Sequence, residues 1–118
     1  MTIRRFKIDA DFFECLSVTV AIDTSKLTDE LAREINSFWT GADAVLAASD
    51  DDVVQAVARR AAGYFIQALL DGYNQGGAQA ELNDAEGWPP NGEHGVTLEA
   101  FELPDLSPAA YEVEELFE

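Results

Sequence analysis

The sequence has very little from which a redox or metal centre could be built. It holds one cysteine, Cys15, and one histidine, His94, among 118 residues. A single cysteine excludes an internal disulfide, and a single histidine excludes a zinc site with several imidazole ligands. No apolar run approaches the roughly 20 residues that cross a bilayer. The first residues also lack a signal-peptide core, so we expect a soluble, cytoplasmic protein.

The sequence also has few positively charged residues. The chain has 7 Lys and Arg residues against 23 Asp and Glu residues, which gives a formal net charge of −16. All seven basic residues precede position 61, so every charged side chain in the second half is negative. Such a surface repels phosphate, which disfavours direct binding to nucleic acid or to an anionic membrane. The excess also lies beyond the about 2 to 8 charges typical of a small soluble domain.

Hydropathy patterning predicts the strands. Residues 3–9 and 12–22 alternate in polarity with the period of a strand and together predict a β-hairpin. Residues 96–103 predict a third strand, which Pro104 ends because proline cannot donate to a ladder. Residues 111–117 can add an edge strand or a last helical turn.

Two helices are predicted between these strands. Thr28 is a candidate N-cap for the first helix, whose apolar stripe from Leu31 to Trp39 should face the sheet. Gly41 can end or kink this helix. Ser49, followed by three aspartates, predicts the start of the second helix, which ends near Gly72.

These elements predict one α+β domain over residues 1–118, with the order ββααβ. We expect an antiparallel β-sheet of three to four strands with two main helices packed on one face. The glycines and prolines between 73 and 95 predict a long loop that can hold one turn of helix around Ala78 to Leu82. An acidic tail follows from about residue 104.

Few residues suggest chemistry. Asp50, Asp51 and Asp52 lack the spacing of a calcium loop and are interpreted as acids at a helix start. Cys15 falls in a strand pattern, and His94 is interpreted as a loop residue that titrates near neutrality. The sequence contains neither a P-loop nor a dinucleotide fingerprint, so we expect no cofactor and no metal. Paired carboxylates leave a small hydrolase open as an alternative.

Aromatic side chains raise a separate question. Glu86-Gly87-Trp88-Pro89-Pro90 is a stiff string that can present Trp88 to a partner, or Trp88 can fold back over the core. Tyr64, Phe65 and Tyr73 are expected to belong to the core rather than to a ligand site.

Several strings together resemble a family of short acidic phage and prophage proteins classified as a domain of unknown function. The strings are Arg5-Phe6-Lys7-Ile8, Val18-Thr19-Val20-Ala21-Ile22-Asp23, Glu34-Ile35-Asn36-Ser37-Phe38-Trp39-Thr40-Gly41-Ala42, Asp52-Val53-Val54-Gln55-Ala56-Val57 and Glu86-Gly87-Trp88-Pro89. The resemblance covers most of the chain up to about residue 98. It implies an origin in a mobile element and supplies no activity and no catalytic residues. Small acidic phage proteins include inhibitors of host restriction and CRISPR systems, so the resemblance favours an anti-defence role.

The charge distribution leads to our functional hypothesis. We expect a non-enzymatic accessory protein that imitates DNA and binds a basic, nucleic-acid-binding host protein. The alternative is a phage accessory or assembly protein, possible as a homodimer, whose acidity only promotes solubility. The predicted partner-binding residues are Glu99, Glu102, Asp105, Glu112, Glu114, Glu115 and Trp88.

Overall fold

A computed structural model describes residues 2–10, 15–104 and 107–116 and gives an α+β fold. The elements, in chain order, are β1 (Ile3–Asp9), β2 (Ser17–Asp23), α1 (Asp29–Ser37), α2 (Ala42–Ala48), α3 (Val53–Leu70), α4 (Gln75–Asn83) and β3 (Val96–Glu102). Short 3₁₀ turns lie at Pro90–Gly92 and Pro108–Ala110.

The three strands form one antiparallel sheet with the order β1-β2-β3. Val20 pairs with Phe6 of β1 and with Leu98 of β3. A bulge shifts the β2–β3 register beside Val20, so that Thr19 pairs with Ala100 and Glu99 is the extra residue. The hairpin and the third strand predicted from alternation are therefore confirmed, but the strand expected over 12–22 begins only at Ser17. Residues 12–14 of that prediction lie outside the described residues.

The core lies between one face of this sheet and helix α3. Val18, Val20 and Ile22 of β2 are fully buried, as the alternation predicts. Helix α3 crosses all three strands and presents a stripe that includes Val57 and Phe65, both fully buried. Burying a side chain of this size contributes about 1.5–3 kcal/mol, so the contact of α3 with the sheet stabilises the fold.

Short polar side chains start the helices. The hydroxyl of Thr28 accepts from the backbone N–H of Leu31, which confirms the predicted cap of α1. Helix α3 begins differently from the prediction: Asp52 is its N-cap, and Ser49 is the buried residue that ends α2. The carboxylate of Asp52 accepts from the backbone N–H groups of Val54 and Gln55. Ser49 lies three positions earlier in the chain, too far from these N–H groups to cap the helix.

Asp52 also ties the first strand to the core helix. Arg4 donates to Asp52 across 2.7 Å, joining β1 to the start of α3. This hydrogen bond lowers the pKa of the Asp52 carboxyl, assisted by the capping N–H groups, and it raises the pKa of Arg4.

The order ββααβ is wrong in its helices, because four helices lie between β2 and β3. Helix α2 follows Gly41, whose φ of +86° breaks the chain away from α1. Helix α4 lies in the segment 73–95, and its 9 residues exceed the single helical turn expected there at Ala78 to Leu82. Helix α1 packs on α3 rather than on the sheet, because α3 already covers that face. Residues 111–116 belong to neither a strand nor a helix.

Helix α4 covers the outer edge of β3 with glutamine side chains. Gln79 accepts from the backbone N–H of Leu98 and donates to the carbonyl of Val96. Gln75 donates to the carbonyl of Leu98. These amides take the hydrogen bonds that a fourth strand would make, so this edge is closed to further pairing along residues 96–98.

Candidate functional site

The residues predicted to bind a partner lie in three separate places. Glu99 forms an ion pair of 2.9 Å with Arg5, which crosses β2, and Glu102 is exposed at the end of β3. Asp105 lies outside the described residues. Exposed carboxylates also follow one another along the tail, at Glu112, Glu114 and Glu115.

Trp88 is buried rather than displayed. It is 6% exposed and belongs to the core cluster, the second of the two placements that the sequence left open. Its ring lies 5.9 Å from Trp39 and 5.6 Å from His94, measured between centroids. The ring of Phe38 approaches Gly87 so closely that an added Cβ would stand 2.6 Å from it, and Gly87 has a φ of +88°. A residue other than glycine there would displace the Trp88 loop.

An acidic cleft lies between helices α3 and α4, and we define it by Tyr64, Asp71, Tyr73 and Glu81. Gln67 and Ala68 complete its lining, and its volume is about 290 Å³. Tyr64 and Asp71 lie seven residues apart, two turns along one side of α3, where Asp71 is the C-cap. Asn74 caps α4 by accepting from the N–H of Gly77, which sets the start of the helix that carries Glu81.

The chemistry of the acidic cleft suits a cation. Asp71 and Glu81 supply carboxylates, and no lysine, arginine or histidine is among the described residues that line it. The two tyrosines are 39% and 45% exposed, so the expectation that Tyr64 and Tyr73 belong to the core is wrong, whereas Phe65 is fully buried. A guanidinium or ammonium group between aromatic rings and carboxylates gains both ion pairing and cation–π attraction.

Sequence reasoning missed this cleft, although part of its signal was present. Tyr64, Gln67, Ala68 and Asp71 follow the i, i+3, i+4, i+7 spacing of one helix face. The other half comes from Glu81, whose placement depends on α4. Because the glycines at 76 and 77 disfavour a helix, no more than one helical turn was expected there.

His94 is a structural residue in the described fold. It is fully buried, its Nδ1 accepts from the N–H of Val96, and its Nε2 therefore carries the proton that it donates to Asn83. Burial lowers the pKa of His94 to about 4, and the nearby charge of Lys26 acts in the same direction. The interpretation of His94 as a residue titrating near neutrality is therefore wrong. Cys15 is also placed differently from the prediction, because it is exposed in the turn before β2.

The chain can now be compared with known proteins. A family model described as "Protein of unknown function (DUF2528)" matches residues 17–106, about three quarters of the chain. The chain belongs to the DUF2528 family. The match contains the whole acidic cleft, Trp88, Glu99 and Glu102, whereas Glu112, Glu114 and Glu115 follow its end. No curated protein and no solved structure matches the chain.

Two further findings concern metals and membranes. Within residues 2–10, 15–104 and 107–116, no group of three or more histidine, cysteine, aspartate or glutamate side chains is placed to hold a metal ion. Over the same residues, no helix of this DUF2528 protein combines the length and hydropathy needed to cross a bilayer.

Proposed function

We propose that this DUF2528 protein is a non-enzymatic binding protein that docks on a basic, nucleic-acid-binding partner. The observation that carries the proposal is the acidic cleft, in which Asp71 and Glu81 face a cavity bordered by two tyrosines. An arginine or lysine of the partner entering there would meet opposite charge and aromatic faces together.

The second half of the chain supports this proposal because it cannot neutralise itself. It contains no lysine and no arginine. Among its described residues, Glu99 is the one acidic side chain in an ion pair, and its cation, Arg5, comes from β1. The other carboxylates repel one another across distances up to a Debye length of about 8 Å at physiological salt. A cationic partner removes that repulsion.

The tail adds a second, linear array of charge. Residues 111–116 are exposed, and the backbone at Tyr111 is extended. On extended chain, Glu112 and Glu114 project to the same side roughly 6.6 Å apart. Duplex DNA carries one charge per about 1.7 Å of axis over both strands, so such an array can occupy some of the sites where a protein binds phosphates.

These features, with the resemblance to phage and prophage proteins, favour a DNA-mimic inhibitor. We therefore propose that the partner is a defence or DNA-processing protein in the host cytoplasm, such as a restriction or CRISPR effector. The protein would occupy the groove that otherwise holds nucleic acid.

Competition with DNA tests this function. A host protein captured by crosslinking would be purified and loaded with fluorescent duplex DNA, and the DUF2528 protein would then be added. We expect release of the DNA, with an inhibition constant that weakens steeply between 50 and 200 mM salt, by about tenfold or more. The triple variant E112Q/E114Q/E115Q should release less DNA. The proposal is contradicted if binding to the partner does not depend on salt, or if the DNA stays bound. In either case the acidic surface would serve only solubility.

A further inference from the structure

A second cavity shares Tyr64 with the acidic cleft but has the opposite chemistry. Its volume is about 180 Å³, and its lining is Trp39, Arg60, Tyr64 and Trp88. Three of these side chains are aromatic and the fourth is a cation. Although the chain has a net charge of −16, no described carboxylate lines this cavity.

Two donors of the same cavity are buried without an acceptor. Nη2 of Arg60 and Nε1 of Trp88 are the buried side-chain polar atoms, among the residues described, that have no hydrogen-bond partner. Buried polar groups are nearly always paired, because an unpaired one has lost its hydration without replacement. Both donors belong to side chains that line this cavity, so an acceptor from outside the chain, a water or a ligand oxygen, would replace the lost hydration.

The guanidinium of Arg60 is held in place by its neighbours. Its Nε donates to Oδ1 of Asn36 across 2.7 Å, and Asn36 in turn donates to the carbonyl of Ala42. The guanidinium carbon lies 5.0 Å from the centre of the Trp39 ring. Burial lowers the pKa of Arg60, although the group stays charged. A fixed, half-buried cation without a carboxylate is thus part of the cavity.

We propose that this cavity binds a carboxylate carried on a small apolar or aromatic body. An ionised carboxylate only accepts hydrogen bonds, so its oxygens suit the unpaired donors of Arg60 and Trp88. The bond from the guanidinium is charge-assisted and stronger than a neutral one. This proposal does not depend on the function proposed above, because it rests on the unpaired donors and not on the acidic surface.

The size and walls of the cavity limit the ligand. A cavity of about 180 Å³ has room for a carboxylate with a short apolar group or one ring. The rings of Trp39, Tyr64 and Trp88 supply apolar surface for that body.

Indole signals in a ¹H–¹⁵N spectrum of the intact protein provide the test. The chain has two tryptophans and so two indole N–H signals, which can be assigned separately. Benzoate should move the Trp88 signal in a saturable way, whereas benzyl alcohol, a neutral analogue of similar shape, should not. No saturable shift with any carboxylate, or an equal shift with the alcohol, overturns the proposal.

A second titration, with a peptide, tells whether the carboxylate belongs to a free acid or to an acidic peptide segment. A synthetic peptide of residues 107–116 presents three glutamates among apolar side chains. A Trp88 response to benzoate alone supports a free acid, and a response to the peptide supports an acidic segment. If neither benzoate nor the peptide shifts the Trp88 indole signal, the proposed site is wrong.

Variants assign the binding to the cavity. Arg60→Lys keeps the charge but removes the planar fork, and it should weaken benzoate binding about tenfold or more. Arg33→Lys makes the same change at an exposed position of α1 outside the cavity and should leave binding unchanged. Equal binding by both variants and the unaltered protein contradicts the assignment. If Arg60→Lys does not fold, the comparison of benzoate with benzyl alcohol still decides.

Discussion

His94 shows at the residue scale how far a side chain's surroundings can change its chemistry. Its sequence neighbours are glutamate and glycine, which are typical of an exposed loop. The fold instead buries it against Trp88 and fixes its tautomer through Asn83 and the backbone of Val96. These partners lie within Asn83 to Val96, but they surround the ring only because α4, the connection after it and β3 fold onto the core, which no polarity pattern around His94 indicates.

The lowered pKa of His94 predicts a pH-dependent stability. In the unfolded chain the imidazole pKa is near its usual 6.5, and in the folded protein it is about 4. The unfolded state therefore binds more protons between these values, and the stability contributed by neutral His94 is lost as pH falls from about 6.5 to 4. We expect His94→Gln to lack this loss, so that between pH 7 and 4 the unmodified protein should lose about 3 kcal/mol relative to the variant.

Urea unfolding at several pH values measures this difference. His94 is the only histidine, so the comparison with His94→Gln isolates its titration from that of the carboxylates. Parallel stability curves for the two proteins between pH 7 and 4 would mean that the folded and unfolded imidazoles titrate alike, and the burial argument would then be wrong.

The elements divide into those that local chemistry specifies and those that need tertiary partners. The strands, α1 and α3 follow from alternation, apolar stripes and the capping residues Thr28 and Asp52, even though the cap of α3 was first assigned to Ser49. Helix α4 carries two glycines in its first turn and has little intrinsic preference for a helix. The cap at Asn74 and the glutamine bonds to β3 compensate, and none of the bonds to β3 is visible in sequence.

Gln79 should therefore contribute more to the free energy of unfolding than an exposed glutamine normally does. Gln79→Ala removes the acceptor for the N–H of Leu98 and the donor for the carbonyl of Val96. We expect the free energy of unfolding to fall by about 1–3 kcal/mol because these groups lose their partners. The uncovered edge should also promote dimers, which sedimentation velocity can detect.

The same Gln→Ala change on another helix serves as the control, because it shortens a side chain without removing a hydrogen bond to the sheet. Gln67 lies exposed on α3, and Gln67→Ala should change stability by less than about 0.5 kcal/mol. If both variants are equally stable and monomeric, then the amides of α4 do not protect the sheet edge.

At the scale of the whole molecule, the sequence predicted the surplus of negative charge but not its arrangement. Counting charges was sufficient to show that the second half has no cations. The acidic cleft could not be derived that way, because Asp71 and Glu81 meet only after α4 folds back on α3. The cavity at Arg60 was likewise hidden, since its walls come from Trp39 in the turn after α1, from α3, and from Trp88 in the segment between α4 and β3.

The central claim is that this charge is arranged to receive a cationic group, and the cleft allows a direct measurement. Calorimetric titration of the protein with a short arginine-rich peptide would compare two variants that each lose two negative charges. Asp71→Asn with Glu81→Gln alters the cleft. Asp50→Asn with Asp51→Asn alters an exposed turn whose positive φ angles asparagine tolerates.

Two ion pairs in a partly enclosed cleft contribute about 1 kcal/mol each. We therefore predict that the cleft variant binds the peptide about tenfold or more weakly than the unmodified protein, with a smaller dependence on salt, while the turn variant loses less than about threefold. Equal losses in the two variants would show that the peptide responds to net charge alone, and the claim of a built cation site would be contradicted.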